Sequence, residues 1–292
     1  MPIDRRSVLK GLVAAGGVAV ASGASTVAAR ERKAPPDDAV GMLYDATRCI
    51  GCKACVVKCK EANGLPPDAP DGLHDAPVDL NASTKNIIKL YKDADRISYM
   101  KAQCMHCVDP ACVSVCMFGS LQKGELGIVT YNPDRCLGCR YCQVACPFNV
   151  PKFEWSKAVP QIVKCEMCRH LIAKGGQPAC CEVCPREAVI YGKLADLKAD
   201  ARDRLAKNPD RYVQKVYGDT DGGGTQVICL SAVPFELLGL PDLGDEPVPK
   251  LSETIQHGVY YGFIPPVVLY GALGLVMLRN RKRGGTGEEV KK

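Results

Sequence analysis

The chain has 292 residues, with 18 cysteines, 28 glycines, 21 prolines, 6% aromatics and a formal charge of +6. So few aromatics imply a modest apolar core, and bound cofactors are expected to organise much of the fold. The basic excess gathers near the two ends, so it calls for no nucleic-acid partner, and cysteine usage this high reads as a disulfide framework or a metal-loaded protein.

The chain starts with Arg5 and Arg6 ahead of a Gly/Ala-rich apolar run that closes on Val27-Ala28-Ala29. Residues 1–29 therefore read as an export signal outside the fold. The run "DRRSVLK" has the twin-arginine pattern, with Val8 where Phe is usual. That route carries folded proteins, so cofactors could be inserted before the thiols meet an oxidising periplasm. An ordinary secretory signal is the alternative.

Four cysteine groups follow. Group I is "CIGCKACVVKC", with Cys49, Cys52, Cys55 and Cys59. Group II, "CMHCVDPACVSVC", holds Cys104, Cys107, Cys112 and Cys116. Group III, "CLGCRYCQVACP", holds Cys136, Cys139, Cys142 and Cys146. Group IV joins "CEMC" to "PACCEVCP": Cys165, Cys168, Cys180 or Cys181, and Cys184. The C-x3-C-P spacing favours Cys180 over Cys181. In group III three thiols can aim at one centre while Cys146 faces away, the spacing of bacterial [4Fe–4S] ferredoxins, whose fourth cysteine serves the other cluster. Disulfides fit poorly between such near neighbours. Structural zinc prefers cysteine pairs about 12–20 residues apart. Four sets of four thiols are what four [4Fe–4S] clusters require.

Short apolar runs bounded by turn formers separate the groups and read as strands: "GMLYD", "NIIKLY", "GIVTY", "AVIYG" and "TQVICLSAV". Brief helices such as "KACVVKCKEA" follow the ligands, and residues 194–207 form an amphipathic helix. The stretch "NGLPPDAPDGLHDAPVDLNAST", across the 60–83 region, reads as a long loop and a possible docking surface. Cys229 falls in a strand as a buried bystander. Of the four histidines, His74, His106, His170 and His257, His106 lies inside group II, where it could bond a cluster sulfide or simply shape the loop. His257 reads as an interfacial anchor, with contact to a quinone or haem as the alternative.

Residues 258–278 contain no charge and are long enough to cross a bilayer, with a kink expected at Pro265 and Pro266. Tyr260 and Tyr261 suit an interfacial belt, and "RNRKR" in the tail 279–292 places that tail in the cytoplasm. The globular part is then periplasmic. A buried core helix is the competing reading.

These motifs resemble the four-cluster ferredoxin-like subunits of bacterial respiratory oxidoreductases. "QCMHCVDPACVSVC", "GCRYCQVACPFNVPK", "KCEMC", "GGGTQV" and "IQH" before the apolar segment are most similar to the iron–sulfur subunit of hydrogenase-2 type complexes. Met117, where Pro is usual, and the extra Cys181 depart from the pattern. The resemblance implies an α+β fold of tandem ferredoxin-like dicluster domains, pseudo-twofold related, within residues 40–250, plus one C-terminal transmembrane helix. It implies a non-catalytic electron carrier between a periplasmic catalytic subunit, a nickel–iron hydrogenase, and a membrane quinone-reactive subunit. The alternative is service to a formate dehydrogenase or other molybdenum enzyme. No nucleotide or flavin fingerprint opposes this, and no cysteine set is short of a ligand, as an open catalytic cluster would require.

Groups II and III, at about 95–155, lie close together like a two-cluster ferredoxin, which leaves I to pair with IV, as the resemblance also implies. The crossing rule then assigns cluster I to Cys49, Cys52, Cys55 and Cys184, and cluster II to Cys104, Cys107, Cys112 and Cys146. Cluster III takes Cys136, Cys139, Cys142 and Cys116; cluster IV takes Cys165, Cys168, Cys180 and Cys59.

Overall fold

The computed structural model describes residues 33–68 and 79–284. The export signal expected over 1–29, loop residues 69–78 with His74, and tail residues 285–292 lie outside them. The described residues up to Pro249 form one compact unit, and the chain from Lys250 belongs to a second.

Strand β1 (Val40–Asp45) is buried along its whole length. Its side chains alternate between two layers, as the two-residue strand period requires. Met42 and Tyr44 enter a core that includes Met100, Met105, Cys180 and Cys181. Leu43 enters the opposite layer with Leu197, Ala201, Ile228 and Leu230. Helix α1 (Ala54–Ala62) carries the end of group I. Strands β2 (Asn86–Lys92) and β3 (Ile97–Gln103) form a hairpin that runs straight into Cys104, with Ile88 opposite Lys101.

A single turn, α2 (Ala111–Ser114), follows in group II. The short antiparallel pair β4 (Leu121–Lys123) and β5 (Val129–Tyr131) then bridges to group III. Helix α3 (Tyr141–Ala145) lies within that group. The pair β6 (Lys152–Phe153) and β7 (Ile162–Val163) leads to group IV with its turns α4 (Arg169–Ile172) and α5 (Ala179–Glu182).

Strand β8 (Val189–Lys193) returns antiparallel to β1, with Tyr44 opposite Val189. Strand β9 (Val227–Leu230) pairs parallel on β1's other side, giving the order β8-β1-β9. So the strand before group I pairs with the strand after group IV, and the pair β4/β5 joins groups II and III.

Helix α6 (Leu194–Lys207) has the bounds its sequence period predicts. Leu194, Leu197 and Ala201 are its buried residues, and each fully buried leucine contributes about 1.5–3 kcal/mol. Near its far end Arg204 reaches Asp45, 0% exposed, at 3.2 Å, and Tyr212 donates to the same carboxylate oxygen at 2.9 Å. Three expected strands appear within a residue of their predicted bounds, while "GIVTY" shortens to Val129–Tyr131 and "TQVICLSAV" to Val227–Leu230. The hairpin partner β3 is an addition that the apolar-run signal misses.

The second unit contributes helix α7 (Lys250–Gly284), which passes through Pro265 and Pro266 as one continuous element. Its window Gly262–Arg279, of mean hydropathy 1.6, is long and apolar enough to cross a membrane.

Candidate metal centres

Each C-x-x-C turn places its third residue in the left-handed region: Gly51 (φ 71°), His106 (φ 47°), Gly138 (φ 70°) and Met167 (φ 55°). Groups I and III repeat the device two residues later, at Lys53 and Arg140. Non-glycine residues pay about 1–3 kcal/mol for this conformation, so two of these turns, at His106 and Met167, and both repeats keep it against their own preference. Left-handed residues following right-handed ones turn successive N–H groups inward, a cradle for an anionic centre. Accordingly the Gly51 N–H donates to Cys49 Sγ at 3.5 Å and the Met167 N–H to Cys165 Sγ at 3.3 Å.

The last cysteine of each group is served from four residues on. Ser120 N–H donates to Cys116 Sγ and Ala188 N–H to Cys184 Sγ, both at 3.2 Å. Backbone N–H groups from Val150, Phe148 and Asn149 serve Cys146. Met117 in place of proline leaves the arrangement at Cys116 intact. At Cys59 the donor is the Asn63 side chain.

The crossed grouping is visible in what surrounds each thiol. Cys49, Cys52, Cys55 and Cys184 line one small cavity, partly open to solvent, together with Tyr44 and Lys101. Burial, and after it Cys104, Cys112 and Cys146, pushes the Cys107 thiol well up. Burial, then Cys139, Cys116 and Cys136, pushes Cys142 up to about 12. Cys59 is pushed up to about 11 by burial, with Cys180 and Cys168 adding to it and Lys101 opposing. Asn63 Nδ2 donates to both Cys59 Sγ and Cys168 Sγ, each at 3.7 Å. Cys165 completes that set, with Cys59 and Cys180 among its neighbours.

The four sets stand in a row. Cys55 of the first set neighbours Cys180 of the fourth, Cys165 of the fourth neighbours Cys104 of the second, and Cys112 of the second neighbours Cys142 of the third. Among these sixteen cysteines only Cys52 and Cys139, in the two end sets, are exposed. Apolar side chains stand around them at equivalent places: Ile50 and Val57 at one end, Leu137 and Val144 (85% exposed) at the other.

Cys180 is drawn down by a hydrogen bond from Cys181, against its own burial, while Cys181 is pushed up. Cys229 is 1% exposed on β9 and belongs to no set. His170 lies on α4, outside the four sets.

The donors suit an iron–sulfur centre. Buried thiols whose thiolate charges would repel one another resist ionisation until a cationic metal takes the place of the protons. Among the described residues no three Cys, His, Asp or Glu side chains close tightly enough to hold a single metal ion. Inside group II, His106 accepts from Val129 N–H at Nδ1 over 3.1 Å, which leaves the proton on Nε2. That Nε2 is buried without a protein partner, as a donor to a cluster sulfide would be. Burial, then Lys164 and Lys123, keeps the ring neutral.

The "GGGTQV" run holds group II against the sheet. Gly222, Gly223 and Gly224 all have positive φ; at Gly224 (φ 90°) a Cβ would also stand 3.1 Å from Asp219 O. The Gly224 carbonyl accepts from Val108 N–H, and Val227 N–H donates to Met105 O. Gln226, 0% exposed, donates through Nε2 to Val40 O and Leu126 O, and its Oε1 accepts from Lys123. Asn63, Gln226 and the buried Lys101 all escape a reading based on cysteine spacing. For Asn63 the only available signal is its offset of four from Cys59.

A profile of 4Fe–4S dicluster domains matches residues 96–194. Hydrogenase-2 operon protein HybA of Escherichia coli O157:H7 is 41% identical, over 87% of this chain and 89% of its own length. The formate dehydrogenase iron–sulfur subunit of Haemophilus influenzae is 34% identical over 82% of this chain and 78% of its own. The formate dehydrogenase-O iron–sulfur subunit of Escherichia coli K12 is 32% identical over 80% and 78%.

Proposed function

This chain belongs to the ferredoxin-like iron–sulfur subunits of bacterial respiratory oxidoreductases, the family of HybA and the formate dehydrogenase iron–sulfur subunits, and on that premise we propose that it is a four-cluster electron wire. Each set of four cysteines holds one [4Fe–4S] cluster: Cys49, Cys52, Cys55 and Cys184; Cys104, Cys107, Cys112 and Cys146; Cys136, Cys139, Cys142 and Cys116; Cys165, Cys168, Cys180 and Cys59. Such clusters supply one-electron exchange at potentials set by net charge, burial and hydrogen bonds to sulfur. The chain contributes the thiolates, the inward N–H groups and a largely water-free path between the two exposed ends. The observation that carries this reading is the crossed convergence of the four sets into a single row.

The row runs I–IV–II–III, with β1/β8 and β4/β5 as the two strand pairs of pseudo-twofold dicluster units. Apolar rims at Cys52 and Cys139 suit one protein partner at each end, since a dry contact shortens the electron's path. One partner is the catalytic subunit and the other the quinone-reactive membrane subunit. The greater identity to HybA supports a nickel–iron hydrogenase over a molybdenum enzyme as the electron source. Helix α7 anchors the protein, with the twin-arginine signal delivering the folded cluster domain to the periplasmic face.

Protein assembled anaerobically is expected to contain about sixteen iron atoms and as much acid-labile sulfide, four for each [4Fe–4S] cluster. Saturation at half that content would overturn the four-cluster reading.

A further inference from the structure

We propose that Lys101 is a fixed cation between the first and fourth cysteine sets that raises the reduction potentials of the two clusters they hold. The inference rests on the cluster assignment above and goes beyond it to a residue that is no ligand. Lys101 lies on β3, opposite Ile88, and is 2% exposed. Its side chain lines the cavity of Cys49, Cys52, Cys55 and Cys184. On its other side stand Cys180 and Cys165 of the fourth set.

Its ammonium donates to the Gln103 side-chain oxygen and to the Cys180 sulfur, and Gln103 is itself fixed by a bond from Nε2 to Met42 Sδ at 3.3 Å. No carboxylate pairs with Lys101 among the described residues. A lone buried ammonium costs several kcal/mol, so it persists only where other anionic groups face it.

The functional consequence follows from charge. A cluster gains one negative charge on reduction, so a cation held beside it stabilises the reduced form more than the oxidised form. The effect is strong where water cannot screen it. Lys101 faces two clusters at once, so it holds both up together and favours electron residence at that end of the row. Cluster III, at the opposite end of the row from the first and fourth sets, serves as the internal reference.

The test is a redox titration followed by paramagnetic resonance, on full-length protein assembled anaerobically, comparing wild type with Lys101→Met, Lys101→Gln and Lys101→Arg. Lys101→Met should lower the reduced-to-oxidised ratio of clusters I and IV at least tenfold at a fixed poise, about 59 mV for one electron. Cluster III should stay in place, and Lys101→Arg should stay with wild type. If Lys101→Met fails to assemble, Lys101→Gln removes the charge while retaining a polar group beside Gln103. Full iron content with clusters I and IV unmoved would overturn the inference, as would an equal shift of cluster III. A wild-type protein with fewer than four cluster signals would instead overturn the assignment on which it rests.

Discussion

Asn63 gives Cys59 through its side chain what the backbone four residues on gives Cys116, Cys146 and Cys184. The cause is local. Group I continues into helix α1, so the Asn63 backbone N–H is already committed to Cys59 O at 3.1 Å. The side-chain amide takes over and reaches two sulfurs of one set, while Lys85 holds its oxygen at 3.0 Å.

Asn63→Leu removes both N–H···S bonds without touching a ligand. The potential of cluster IV should fall, because hydrogen bonds to sulfur stabilise the reduced, more negative state. A net loss of about 1 kcal/mol corresponds to roughly a fivefold change in the reduced-to-oxidised ratio. A redox titration of the variant checks this, and an unmoved cluster IV would show that the amide only shapes the loop.

Much of this site was open to reading from the chain alone, because ligand spacing is a direct consequence of turn geometry. The four groups, helix 194–207 and the apolar C-terminal segment each follow one strong period or spacing. Strand β3 did not. Its buried residues include Ser98, Lys101 and Gln103, so a search for short apolar runs passes over it. Lys101 is tolerated in the core because it stands beside the sulfur sets, and Gln103 because it bonds Lys101; a local pattern cannot see a neighbour that lies far away in sequence. Cys181 is a similar case: next to Cys180 in the chain, it is distinguished only by the bond it donates.

Gln226 ties β1, the turn after β4 and Lys123 together through one buried amide. Gln226→Leu keeps the volume but leaves two carbonyls and an ammonium each short of a partner. Lys123 keeps the carbonyls of His106 and Cys107 as partners, so at about 1–3 kcal/mol for each of the two carbonyls left unsatisfied a loss of about 2–6 kcal/mol is expected. Thermal unfolding of the cluster-loaded protein should begin at clearly lower temperature. An unchanged midpoint would mean that water or a rearranged Lys123 replaces the amide.

Chain termination after Pro249 separates the compact unit from α7. The truncated protein should be recovered without detergent, with iron content and spectra like those of the full chain, because the cysteine sets lie in the compact unit. Quinone-linked electron transfer in membranes should fall sharply, since the anchor that holds the wire at the bilayer is gone. Full quinone activity in the truncated form would show that partner contacts alone position it.

Cys146 gives the sharpest test of crossed ligation. It lies in group III, yet its thiol stands with Cys104, Cys107 and Cys112, while Cys142 has Cys116 from group II as a neighbour. Cys146→Ala should therefore damage the cluster whose other ligands lie some thirty residues upstream and leave cluster III with four thiolates. Cys116→Ala should do the reverse. Paramagnetic resonance of reduced protein decides the matter once Cys107→Ala and Cys139→Ala have assigned the signals of clusters II and III. If Cys146→Ala and Cys139→Ala erased the same signal, group III would be holding its own cluster. The row would then lose the interlocked loops that set clusters II and III side by side.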